Sequence, residues 1–306
     1  MVHWSLLIIS TPVSFGVGLL VNRFHGRLTK KASNSDIQAS DGIVSNFKKA
    51  RYVLTPHPDW KPGQKQPHPF ASDEMLGFDP AKIDKGTFYS LMISAVTPRP
   101  VAFVSTVDAK GSVNLAPYSY FNILSNNPPV LAFGATYRTP VNGGLPKKDT
   151  LANVEETGEF VINIISEWFV EAANFTAIEA DRGFNELEAA GLTPVPSVHV
   201  KAPRVKESVI QFECKLKQII PLNDSTTGQP SASIVLGEIV LVHIHKEATE
   251  LSPTGKVVVD PLKVKPVCRF GGVSYGRVSE LYEIPRPNRD GSFSSFTPKA
   301  VSKAHS

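Results

Sequence analysis

At 306 residues, with 42% hydrophobic and 20% charged side chains, the chain has the balance of a globular protein with a sizeable core. A net charge of +4, with no Lys/Arg stripe interleaved with aromatics, argues against a nucleic-acid partner and favours small anionic ligands. The two cysteines, Cys214 and Cys268, lie in apolar runs without a C-x-x-C pair, so free thiols in a reducing compartment are expected over a disulfide.

Residues 1–32 form a hydrophobic and basic extension. Trp4 to Val21 carries no charge, is interrupted by Pro12, Gly16 and Gly18, and is followed by Arg23, Arg27, Lys30 and Lys31. Its length is at the lower limit for a membrane span, which needs about 20 apolar residues. Basic residues on the C-terminal flank would leave the rest of the chain cytosolic. The lack of acids before Asp36 also suits a mitochondrial presequence, and an inert extension is the third reading. All three stay open, so membrane contact through residues 4–21 is weighed beside an otherwise cytoplasmic location.

Residues 33–80 read as a polar linker, Ser33 to Ser45, followed by a proline-rich arm. Pro56, Pro58, Pro62, Pro67 and Pro69 forbid a helix across 52–70, and Trp60 has apolar surface to bury against a neighbour. A free linker is the alternative. The folded domain is expected over 81–287, with 288–306 a polar tail.

Asp84 to Leu91 suggests a helical turn. Val101 to Val107 is an uncharged, β-branched run, Asp108-Ala-Lys-Gly111 supplies turn residues, and Val113 to Phe121 is a second run, so the pair reads as a hairpin. Pro117 cannot donate to a ladder, so the second strand must bulge or end there. Such a bulge would bring Ala116, Tyr118 and Ser119 to one spot, with N–H groups, hydroxyls and an aromatic edge suited to a flat, phosphorylated ligand. Val130 to Tyr137 is a third strand. A helix over 151–157 is closed by Gly158 and capped by Asp149 or Thr150. Glu159 to Ile165 is a fourth strand, Ser166 caps a helix over 167–178, and 184–190 forms another. Ile210, Phe212, Cys214 and Leu216 alternate with Gln211, Glu213, Lys215 and Lys217, which predicts one buried and one wet face. Strands at 233–244 and 268–278 complete a mainly β chain with short helices, no βαβ rhythm and no repeat, a pattern that points to a closed barrel.

Thr97-Pro-Arg-Pro-Val-Ala-Phe-Val-Ser-Thr-Val-Asp108, with Asn114-Leu-Ala-Pro-Tyr-Ser-Tyr-Phe-Asn122, resembles the FMN-binding split-barrel proteins of the flavin reductase-like group, among them flavoredoxin. The likeness continues through Lys148-Asp-Thr150, Phe160-Val-Ile-Asn163, Glu186 to Leu192 and Gly237-Glu-Ile-Val, and covers roughly residues 43 to 287. It implies a Greek-key split β-barrel that binds FMN, usually as a homodimer with the flavin near the subunit boundary. It also implies hydride transfer from NAD(P)H to the flavin N5, with electrons passed onward. A flavin-binding electron carrier or interaction protein without NAD(P)H turnover is the competing class.

Within that frame Gly143-Gly144, Lys147, Lys148 and the helix start at Asp149-Thr150 form a candidate phosphate site, since free N–H groups at a helix N-terminus attract anions. Asp149 would repel phosphate and is read as the cap. Arg99, held between two prolines, could bind phosphate or the pyrimidine carbonyls. Ser105 and Thr106 face opposite sides of one strand, so at most one meets the ligand. Asn114, Tyr118 and Ser119 are assigned to the ribityl chain and ring edge. Thr97, Ala116 and Pro117 complete the cofactor-binding set.

Three other motifs carry less. Gly272-Val-Ser-Tyr-Gly276 matches a hydrolase nucleophile elbow, but only Asp290 and His305 follow as triad partners. His243 and His245 share a strand face with no further ligand beside them in sequence. Gly16-Val-Gly18 lacks the third glycine of a dinucleotide fingerprint. Asn174 and Asn223 match the glycosylation pattern, yet Asn174 falls among apolar residues, so an unglycosylated chain with reduced thiols is expected.

Overall fold

A computed structural model describes residues 51–138 and 147–302. The segment 4–21 and Gly143-Gly144 lie outside the described residues.

Strand β1 (Arg51–Tyr52) opens the described chain, and the proline-rich stretch after it is irregular. Helix α1 (Lys85–Ala95) is longer than the expected turn, and the Asp84 side chain caps it by accepting from Thr87 N at 2.9 Å. Next come β2 (Ala102–Val107), β3 (Val113–Tyr118), β4 (Phe121–Asn126) and β5 (Pro129–Thr136). Helix α2 (Asp149–Thr157) ends on Gly158 at φ 70°, the left-handed cap that glycine adopts without a Cβ penalty. Then follow β6 (Glu159–Ile164), a 3₁₀ turn at Glu167–Phe169, α3 (Val170–Phe175), α4 (Glu186–Ala189), β7 (Pro194–Val195), β8 (Arg204–Val205), β9 (Ile210–Asn223) and β10 (Pro230–Ile244). Small hairpins close the chain: β11 (Thr249–Leu251) with β12 (Val257–Val259), and β13 (Val267–Arg269) with β14 (Tyr275–Arg277). Strand β15 (Glu280–Leu281) returns to pair in parallel with β1.

Seven strands form one antiparallel sheet in the order β3-β2-β6-β9-β10-β5-β4. The sheet curls until its distant strands meet. Tyr118 on β3 and Phe133 on β5 have ring centroids 5.0 Å apart, and Phe133 meets Phe160 of β6 edge-on at 5.6 Å. Leu131, Leu151, Ile162 and Val235 fill the same core. The β9–β10 ladder shifts register between Leu236 and Gly237 and again between Ile239 and Leu241, and such bulges sharpen curvature. A Cβ on Gly237 would lie 2.3 Å from Phe160 Cζ, so the backbone there must be bare for the ring to pack.

Five expected elements take a different form. The β2–β3 pairing runs through Phe103↔Pro117 without a register shift. Pro117 is accommodated because β3 is an edge strand, and the strand stops one residue later. Phe121 begins a new strand, β4, rather than ending β3. The helix expected over 167–178 is a 3₁₀ turn and then a short helix ending at Phe175, and Ser166 makes no side-chain cap bond. Gln211 and Glu213 are buried rather than wet. Segment 194–205 covers that face, with Val198 N and His199 N donating to Glu213 at 2.8 and 2.6 Å. The last strand is the β13–β14 hairpin, and Ser274 lies in its turn, where Phe270 N donates to its carbonyl. A nucleophile elbow requires a strand-to-helix turn, so this geometry removes the hydrolase reading.

Candidate functional site

Two clefts meet beside the end of β3. The first, of about 200 Å³, is lined by Tyr89, Arg99, Ser119, Tyr120 and Arg269 among others. The second, of about 110 Å³, is lined by Asn114, Ala116, Arg138, Asp149 and Thr150 among others. Pro117, Tyr118 and Lys148 belong to both. Nine of the twelve residues singled out from sequence therefore line these two adjoining clefts. Thr97, Ser105 and Thr106 do not line them. Ser105 is buried on the opposite face, its hydroxyl donating to the Pro203 carbonyl. Thr106 is also buried, accepting from Asn153 at 3.1 Å and Asn114 at 3.4 Å. Thr97 precedes a cis proline, and its hydroxyl reaches only the Ser94 carbonyl, at 3.5 Å.

Lys148 stands at the junction. It is the N-cap of α2, with extended backbone, although the capping side chain was expected from Asp149 or Thr150. Its ammonium has no hydrogen bond or ion pair among the described residues. Burial lowers its pKa, Glu179 nearby works the other way, and Arg138 adds to the lowering. Lys147, by contrast, is engaged by Glu155 at 2.5 Å. Behind Lys148 the helix offers its first-turn N–H groups, which have no acceptor within the helix.

Three acids line the second cleft, Asp149, Glu179 and Glu186, and two of them are compensated. Asp149 is paired with Arg138 at 3.3 Å and Arg182 at 3.7 Å. Glu186 accepts from Leu115 N at 3.1 Å on the free edge of β3, and burial pushes its carboxyl up toward the neutral form. Among the described residues the first cleft has Arg99, Lys148 and Arg269 in its wall and no acid.

Tyr118 carries the other unusual group. Its hydroxyl is buried without a hydrogen-bond partner among the described residues, and burial pushes its pKa up to about 12, against a smaller opposing effect of the Thr150 hydroxyl. A buried, unpaired hydroxyl is costly, and Tyr118 is a residue that lines both clefts. Thr150 itself accepts from Asn114 at 2.8 Å.

Arg99 has a more structural position than its sequence context suggested. Its guanidinium donates to the carbonyls of Ile93 and Val96, to Phe270 O at 2.8 Å, and to Ser119 Oγ at 3.4 Å. With five donors in all, at most one remains for a ligand. It fastens the end of α1 and the turn after β13 to the cleft wall and orients Ser119. Tyr89, Tyr120, Arg138 and Arg269 also line the clefts but were not legible as site residues. Arg269 reaches the site because its backbone exchanges both hydrogen bonds with Arg99, at 3.1 and 2.9 Å, across 170 positions of sequence.

Among the described residues no three His, Cys, Asp or Glu side chains gather as a metal site, and His243 instead meets Glu213 at 2.6 Å. Cys214 and Cys268 are free. No described helix is long and apolar enough to cross a membrane.

A mainly β, curled seven-stranded sheet with an anion-suited cleft at one edge defines a small-molecule binding barrel of the split-barrel kind. Residues 94–258 match the model of the flavin reductase like domain, and the chain belongs to that family. It is 38% identical to a protein of Halalkalibacterium halodurans over 212 residues, 69% of this chain and 97% of the relative. Among solved structures it is similar to nitrilotriacetate monooxygenase component B from Bacillus cereus, with 35% identity, TM-score 0.64, and coverage of 70% of this chain and 100% of that one. It is also similar to 2-nitrobenzoate 2-nitroreductase of Pseudomonas fluorescens, with 29% identity, TM-score 0.59, and coverage of 70% and 98%. Flavoredoxin of Desulfovibrio vulgaris gives 27% identity, TM-score 0.50, and coverage of 64% and 94%.

Proposed function

We propose that this protein is an oxidoreductase that holds FMN in the paired clefts and reduces it with NAD(P)H. The observation that carries this reading is Lys148, a half-buried cation without a partner among the described residues, seated at a helix N-terminus. A terminal phosphate there would gain a charge-assisted bond and the first-turn N–H groups of α2. The ring system would lie toward Tyr118 and Ser119, with Asn114 and Thr150 along the ribityl chain. The residues fit the group: the orphaned Tyr118 hydroxyl gains an acceptor, and the basic first cleft gains an anion.

Bound flavin would supply two-electron redox chemistry. The protein needs no nucleophile for it. Its residues bind and orient: Arg99 fixes Ser119, Asn114 fixes Thr150, and the curled sheet keeps water from one side of the clefts. The membership of a nitroreductase and a monooxygenase component among the similar structures supports an oxidoreductase. Exposed Tyr89 and Met92 on α1, with Val96 at its C-cap, beside the first cleft, support a homodimer with the flavin near the boundary.

Flavoredoxin among the neighbours favours a second reading, an electron carrier without nicotinamide turnover. One experiment separates the two. The purified protein should be yellow and lose its absorbance near the visible flavin band on anaerobic addition of NADH or NADPH. A yellow protein that dithionite bleaches and neither nicotinamide does would be the carrier. A colourless protein that takes up no FMN would overturn both.

A further inference from the structure

A second built cavity lies outside residues 94–258, between the proline-rich arm and the C-terminal tail. Its volume is about 640 Å³, within the range of small-molecule sites. The two walls are far apart in sequence and are joined where the arm begins. There β1 pairs with β15, and Arg51 meets Glu280 at 2.9 Å. Beside it the Lys299 ammonium reaches Tyr52 Oη at 3.3 Å and Glu250 at 3.2 Å, and within the tail Lys299 donates its backbone N–H to Glu283 at 2.8 Å. The arm's wall is also set in place, because the Trp60 indole donates to Gln64 O at 2.9 Å and Trp60 N to His57 O at 3.2 Å.

The lining has a definite chemistry. Trp60, Tyr282, Phe293 and Phe296 contribute aromatic rings, each 40–56% exposed. Among the described residues its wall holds no Lys or Arg, one histidine, His57, and one acid, Glu283. One carboxylate oxygen of half-buried Glu283 accepts from Lys299, while no cation forms an ion pair with it among the described residues. Aromatic faces attract cations through their quadrupoles, and a neighbouring carboxylate adds to that attraction. Flavin and nicotinamide nucleotides are anions, so this cavity is chemically the opposite of the basic cleft at Lys148.

We propose that the arm–tail cavity binds a small organic cation, a quaternary or protonated amine carrying an apolar group. The cation sits among the four rings with Glu283 as its counter-charge, and the prolines of the arm hold the wall without a helix or sheet.

Isothermal titration of the full chain, carrying whatever flavin it retains, with benzyltrimethylammonium tests this. Saturable one-to-one binding is expected. Glu283→Gln keeps an acceptor for Lys299 N and removes the charge, and should weaken binding by about tenfold or more. Phe293→Ala, which leaves Glu283 in place, should weaken it independently, and retained flavin content with an unchanged thermal midpoint shows that either variant is folded. Neopentylbenzene, the neutral isostere, should bind more weakly than the cation. Absence of saturable heat, equal affinity for the neutral isostere, or binding indifferent to both substitutions would overturn the proposal. So would a concentration-dependent dimer that Phe293→Ala dissociates, since the cavity would then be covered by a second copy.

Discussion

Asn114 donates its side-chain amide to the Thr150 hydroxyl at 2.8 Å, which ties edge strand β3 to the first turn of α2. That bond aligns the two elements whose junction holds Lys148 and Tyr118. It fixes the distance between the candidate phosphate end and the candidate ring end of the cleft.

Lys148→Ala should lower FMN affinity by roughly tenfold or more, because a charge-assisted contact contributes about 1.5–3 kcal/mol. Riboflavin, which lacks the phosphate, should bind both proteins alike. Quenching of flavin fluorescence measures all four affinities. FMN binding that is unchanged and independent of salt would move the phosphate elsewhere in the basic cleft, with Arg269 the next candidate.

Tyr118→Phe separates a ligand contact from a packing role. In flavin-free protein the substitution removes a buried hydroxyl without a hydrogen-bond partner among the described residues, so stability should hold or rise by about 1 kcal/mol. FMN affinity should fall in the same variant. Thermal unfolding with and without FMN reads both effects. A loss of stability in flavin-free protein would mean the hydroxyl has a structural partner, and the ligand assignment would fail.

The hairpin, the Gly158 stop and the strand-rich barrel were legible because each rests on local rules: an uncharged β-branched run, a left-handed glycine, a period of two. The reading failed where a distant segment decided the outcome. Glu213 alternates as a solvent-facing residue should, yet segment 194–205 lies over it and supplies its donors. Ser105 and Thr106 sit in the family-like stretch but are buried away from the clefts. Arg99 was legible as important, but its partners are carbonyls from α1 and from residue 270, so its clamp role was not. Arg269 carried no local signal at all, since only strand pairing brings it beside Arg99.

Gly237→Ala should destabilise the barrel by about 1–3 kcal/mol, the range for overpacking a filled core. The added methyl would meet the Phe160 ring at 2.3 Å where β10 shifts register against β9. Phe160→Leu should restore part of the loss in the double variant, because it withdraws the ring that the methyl strikes. Chemical denaturation of the four proteins gives the coupling. Additive losses would place the strain in the backbone rather than in this contact.

The pH dependence should trace to Glu213. Its carboxylate is fully buried on β9 and accepts from Val198 N, His199 N and His243 Nε2 at 2.8, 2.6 and 2.6 Å. Burial alone would raise its pKa, but the two N–H donors and His243 outweigh it, so the carboxyl is held below its ordinary value of 4.5. A depressed folded-state pKa stabilises the protein above the unfolded value, and that contribution is lost as pH falls through the folded one. The thermal midpoint should therefore be insensitive to this group near neutrality and decline below about pH 4.5, as segment 194–205 loses its anchor. Glu213→Gln should lose about 1.5–3 kcal/mol at neutral pH, the range for hydrogen bonds to a charged group, and show a shallower acid decline. Scanning calorimetry from neutral to acid pH compares the two slopes, and equal slopes would assign the acid sensitivity to another carboxylate.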